Sequence, residues 1–130
     1  DNVPQVKVWG SGNPKREFLY VDDLADACLF IMENIEADEF YSNGVTHINI
    51  GSGSDLSIRD LATIIGNMVG FKGEIIFDMS KPDGTPRKLL DITCLSKLGW
   101  KSSTSIRTGI EKTYSWYCDA QKVVNTAMNK

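Results

Sequence analysis

An α/β fold is what this sequence predicts for its 130 residues. Three observations carry that expectation. Short β-rich runs alternate along the chain with stretches of helical periodicity, and clusters of glycine and proline separate them. The composition, 42% hydrophobic and 24% charged, is that of a globular domain rather than a disordered or fibrous chain. A chain of this length is expected to form one domain and to bury a core without disulfide or metal staples.

The elements follow in order. "FLYV" (18–21) reads as a short strand. Asp22 or Asp23 then caps a helix whose apolar positions Leu24, Ala27, Cys28, Ile31 and Ile35 share one face. Acidic residues crowd this helix without a single base from Asp22 to Glu39, which predicts a favourable helix start and a solvated outer face. "THINI" (46–50) reads as a strand and "GSGSD" (51–55) as the loop after it. Ser57 with Asp60 resembles a capping box with Asp in place of Glu. It opens a helix that carries Ile58, Leu61, Ile65 and Met68 inward and ends at "GFKG" (70–73). "EIIF" (74–77) is a further strand, and the prolines and Asp-Gly step of "SKPDGTPRK" (80–88) make a loop. A short helix around 93–98 stops at Gly99, with Trp100 placed to pack back on it. The last helix starts near Ser105 and is expected to bury Ile106, Ile110, Thr113, Tyr114 and Tyr117. Residues 121–130 read as a polar, fraying tail.

Charge and motif content narrow the function classes. A net charge of −3 argues against a general nucleic-acid binder. No apolar run approaches the length of a membrane span, and no secretion signal is visible, so a cytoplasmic location is expected. Cys28, Cys94 and Cys118 are odd in number and widely spaced, which predicts reduced thiols. His47 is the lone histidine and has no partner for a zinc motif. No Tyr is followed four residues later by Lys, and GxSxG, HExxH and paired-cysteine motifs do not occur. "GSGSD" follows a strand and precedes a helix, but it lacks the third glycine of a dinucleotide fingerprint and the Lys of a P-loop, so it reads as a structural turn. "YSWY" (114–117) lies on a helix and reads as core or interface. The opening "DNVPQ" reads like the middle of a longer polypeptide.

Two loops differ from the rest. "WGSGNPKR" (9–16) and "KPDGTPRK" (81–88) combine glycine, proline and cationic side chains in an otherwise acidic chain. Arg offers a planar fork suited to phosphate and Lys a point charge, so two such loops converging would make a diphosphate site. Glycine lets a ligand approach the backbone, and Trp9 offers an apolar face to a sugar or base. Composition alone leaves this reading open beside a second, that both loops are solvated turns.

The residues "WGSGNPKREFLYVDDLADA", "INIGSGSDLSIRDLA", "GFKGEIIFDMSKPDGTPRKLLD" and "LGW" resemble the carboxy-terminal part of the GDP-L-fucose synthases. These are GDP-4-keto-6-deoxymannose epimerase-reductases within the extended short-chain dehydrogenases/reductases. "REFLYVDDLA" and "NIGSG" are shared across the superfamily; "WGSG…REF" with "KPDGTPRKLLD" is the more specific part. Tyr20 stands where relatives commonly carry His. The resemblance implies a substrate-binding lobe over residues 1–120 that includes elements completing a Rossmann-type sheet. It implies that Trp9 and Arg16 contact a GDP-sugar, and that the loop from Asp83 to Lys88 helps hold its diphosphate and sugar. It further implies that NADP(H) and the catalytic Ser, Tyr-xxx-Lys, Cys and His groups belong to an upstream part of the enzyme, with no catalytic, cofactor or metal residue here. The complete enzyme is then expected as a homodimer with no nucleic-acid or membrane partner. A non-catalytic nucleotide-sugar or assembly module, and the lobe of another nucleotide-deoxysugar synthase, are the alternatives.

Overall fold

The computed structural model describes residues 4–42, 44 and 46–128. Two small sheets organise it. Strands β1 (Gln5–Trp9) and β4 (Glu74–Asp78) pair in parallel, Trp9 opposite Asp78. In the second sheet β2 (Lys15–Glu17) lies between β3 (Asp55–Ser57), antiparallel, and β5 (Arg87–Lys88), parallel. Around them lie α1 (Val21–Asn34), α2 (Ala37–Ser42), α3 (Ile58–Met68), α4 (Thr93–Lys97) and α5 (Ile106–Met128).

The first expected strand is displaced. The chain pairs over the polar triplet Lys15–Glu17, and Phe18–Tyr20 lie outside any strand. Pairing here is decided by the two edges available to β2, not by the β-propensity of the next four residues. The cap of α1 differs as well. Tyr20, in extended geometry, is the N-cap with no side-chain bond, while Asp22 and Asp23 sit in the first turn. Asp23 is 6% exposed and accepts hydrogen bonds from the Thr104 amide (2.9 Å), the Thr104 hydroxyl (2.9 Å) and the Ser103 hydroxyl (3.1 Å). It therefore ties α1 to the segment leading into α5. Burial alone would raise its carboxyl, but these donors hold it below the ordinary carboxylate range.

Two terminal signals behave as the residues dictate. Ser57 caps α3, its hydroxyl accepting from the Asp60 amide (3.0 Å) and donating to the Asp60 carboxylate (2.6 Å). Gly99, at φ +101°, ends α4. The Trp100 amide returns to Leu95 O (3.3 Å) and the Gly99 amide to Ser96 O (3.1 Å), the paired bonds of a Schellman cap. Trp100 then packs with Leu95 and Ala27 as the buried apolar core, flanked by Leu19, Phe30, Ile31, Ile48 and Ile50, while its indole N–H reaches Asp26 (2.8 Å).

That core is smaller than the length led us to expect. "THINI" is not a strand; residues 46–50 run without a sheet partner among the described residues. On α5, Tyr114 and Tyr117 are exposed rather than buried, and Trp116 is 71% exposed. With Phe18, Leu61, Ile65 and Ile110 they line an open apolar groove of about 610 Å³. The apolar stripes are those expected of buried elements, but among the described residues nothing covers them. The helix also runs past Ala120 to Met128 where a tail was expected, because no Gly or Pro interrupts the run and Gln, Lys, Ala and Met are good helix formers.

Candidate functional site

The site begins at the end of β1, where the chain turns through Gly10 (φ +82°) and Gly12 (φ +78°), a conformation that side-chain-bearing residues rarely adopt. Close approach requires glycine there too. A Cβ on Gly10 would collide with the Asp83 carboxylate, and one on Gly12 with the Phe77 ring. Ser11 between them is held on every side. Its amide donates to Asp83 Oδ1 (2.7 Å) and its hydroxyl to Asp83 Oδ2 (2.6 Å), while Arg59 Nη2 donates to its carbonyl (2.5 Å). Arg59 stands on the first turn of α3 with its guanidinium 3.7 Å from the Phe77 ring centre, and its own amide donates to Gly12 O (2.9 Å).

From that turn the chain enters β2. Arg16 donates through Nη1 to the Thr85 carbonyl (2.7 Å) and to Lys15 O (2.6 Å), and Nη2 lies over Gly84. The Lys15 amide binds Pro86 O (2.8 Å). The two cationic loops therefore converge. Arg16 and Lys88 are register partners, so they share one sheet face, while Lys15, Glu17 and Arg87 point to the other. There Arg87 pairs with Asp55. Trp9 is 74% exposed, with the Lys81 ammonium 5.7 Å from its ring centre. Trp9, Arg16, Lys81 and Lys88 thus supply an aromatic face and three cations around the 9–16 and 81–88 loops. Asp83 is also in this cluster, but both of its oxygens face Ser11, whose hydroxyl and amide hold its carboxyl below the ordinary range.

Three residues of this arrangement have roles that no local pattern marks: Ser11, Arg59 and Glu17. Glu17 accepts from the Gly53 amide (2.7 Å), the Ser52 hydroxyl (3.3 Å) and the Leu90 amide (3.0 Å), so one carboxylate pins the "GSGS" loop to the segment after Lys88. A Cβ on Gly51 would strike it. Two donors of this glycine loop, the Gly53 amide and the Ser52 hydroxyl, are thus given to a carboxylate of its own chain.

The arrangement gathers the cations and aromatic face that an anionic ligand requires. Among the described residues no group of His, Cys, Asp or Glu could hold a metal ion, and no helix is long and apolar enough to cross a membrane. Cys28, Cys94 and Cys118 are free thiols.

Comparison with known proteins gives a consistent answer. Residues 1–51 match the NAD dependent epimerase/dehydratase family. The chain is 50% identical over 119 residues to a putative GDP-L-fucose synthase 2 of Arabidopsis thaliana, covering 92% of this chain and 34% of that protein. It is also 50% identical to the GDP-L-fucose synthase of Escherichia coli, covering 92% of this chain and 38% of that protein. The chain is similar to one stretch of a GDP-L-fucose synthase. Its fold is the α/β fold of the epimerase type. A solved GDP-mannoheptose C4 reductase from Campylobacter jejuni, with NADP bound, superposes at a TM-score of 0.75 with 40% identity over 87% of this chain and 34% of that one. This synthase-like chain spans about a third of the length of the curated relatives it matches.

Proposed function

We propose that this chain is the substrate-binding part of an NADPH-dependent epimerase-reductase that converts GDP-4-keto-6-deoxy-D-mannose to GDP-L-fucose. The observation that carries the reading is the pairing of β2 with β5, which sets Arg16 beside Lys88 on one sheet face, with Trp9 exposed at the start of the 9–16 loop. Arg16 and Lys88 take the diphosphate, and Trp9 lies against the base or sugar. Half-identity to synthases over nearly the whole chain supports this choice of ligand. NADPH supplies the hydride when bound; with Glu17 engaging the "GSGS" loop, a part of the enzyme beyond this chain holds it, and this chain alone has no reductase activity.

The similarity to a GDP-mannoheptose reductase favours one second reading, a GDP-sugar other than the fucose precursor. Both readings share the diphosphate site. Calorimetric titration with GDP-L-fucose tests it. Arg16→Ala and Lys88→Ala should each weaken binding about ten- to a hundredfold, the worth of a charge-assisted contact of roughly 1.5–3 kcal/mol. Lys7→Ala, on β1 before the turn, should bind like the unsubstituted chain. Equal binding by all three variants would return both loops to solvated turns. Competition by GDP-mannose and by a GDP-heptose then separates the two sugar readings.

A further inference from the structure

We infer that Asp83 and Arg59 are positioning residues that clamp the Gly10–Gly12 turn from two sides, so that Asp83 acts on a bound nucleotide through Ser11 and not by touching it. The inference rests on the proposed role of Trp9, Arg16 and Lys88. A turn with two glycines at positive φ has many accessible conformations when free, and a site built on it would lose affinity to the cost of ordering it. Here that freedom is removed beforehand. The amide, hydroxyl and carbonyl of Ser11 are all taken, the first two by Asp83 and the third by Arg59.

Both oxygens of Asp83 face Ser11, and Oδ1 is packed so closely on Gly10 that only a glycine fits beneath it. A carboxylate aimed at a diphosphate would repel it, whereas one held against backbone and hydroxyl donors keeps its charge compensated. Arg59 is likewise directed at Ser11 O and the Phe77 ring, and its amide at Gly12 O. The turn it steadies lies between Trp9 and Arg16. Loss of the clamp should therefore misplace the aromatic face and the first cation together.

Two measurements on the full chain test this, with GDP as the probe. The first is amide exchange without ligand: Ser11 should be protected in the unsubstituted chain and in Asp83→Asn, and should exchange freely in Asp83→Ala. Asn keeps an oxygen for the Ser11 amide and can donate to the Ser11 hydroxyl. The second is GDP titration. Asp83→Ala should lose about tenfold in affinity, Asp83→Asn should restore it, and adding Ser11→Ala to Asp83→Ala should cost nothing more. Arg59→Met should lower affinity while leaving its salt dependence unchanged, whereas Arg16→Ala should flatten that dependence. The clamp is overturned if Asp83→Ala leaves Ser11 protected, or if Ser11→Ala and Asp83→Ala weaken binding additively. Failure of the unsubstituted chain to bind GDP would instead refute the proposed function, with Ser11 exchange still deciding the clamp.

Discussion

Gly10 and Asp23 show how much single residues decide here. Gly10→Ala forces a side chain into left-handed backbone, at about 1–2 kcal/mol, and against the Asp83 carboxylate besides. Denaturant unfolding should show at least that loss, and GDP titration a weakened site. Asp23→Ala strands Thr104 and Ser103, for a loss of roughly 1–3 kcal/mol by the same unfolding measurement. Because the folded-state carboxyl of Asp23 titrates below its unfolded value of about 3.9, its contribution is complete above that pH and fades as the pH falls through the lower, folded value. The difference in stability between the unsubstituted chain and Asp23→Ala should shrink accordingly in acid. A difference that stays constant down to the lowest pH reached would contradict the tether. Trp9, Arg16 and Lys88 stand out as candidates because their loops gather glycine, proline and cations in an acidic chain, a composition that fits solvated turns equally. Glu17 and Arg59 do not stand out. Glu17 meets Gly53 and Leu90, 36 and 73 residues away, and Arg59 meets Ser11 48 residues away, contacts that no local pattern encodes.

The elements that local chemistry specifies were legible, and those that distant pairing specifies were not. The Ser57 cap of α3 and the Gly99–Trp100 end of α4 follow from side-chain and backbone bonds within a few residues. Gly99→Ala should therefore cost about 1–2 kcal/mol in thermal or denaturant unfolding, with Trp100 fluorescence shifted to the red as its burial loosens. Strand β2 is the opposite case. Its place at Lys15–Glu17 is fixed by β3 and β5, which lie some 40 and 70 residues on, and those pairings override the stronger propensity of 18–21. The "GSGS" loop tests the account at the same scale. With Glu17 on its donors, fluorescence titration of the chain with NADPH should show no saturable binding. Micromolar binding would show that this chain takes the cofactor itself, against the proposed function.

At the scale of the whole molecule, the α/β class was legible from alternating periodicities, but the size of the core was not. Hydrophobic pattern reports which faces are to be covered, not whether the same chain covers them. Trp116 and Tyr117 on α5 and Met32 on α1 stay exposed, in a chain about a third as long as its curated relatives. The free thiols are part of the same picture. Dithiothreitol should leave the thermal midpoint unchanged, and a fall of several degrees would reveal a disulfide. The central claim is that two loops 70 residues apart form one nucleotide-diphosphate site, and it is tested most directly by mapping GDP onto the chain with amide chemical shifts. The account predicts saturable shifts concentrated in residues 9–16 and 83–88, with the Trp9 indole among them and α1 and α5 unmoved. Shifts confined to one loop, or centred on the α5 groove, would contradict it.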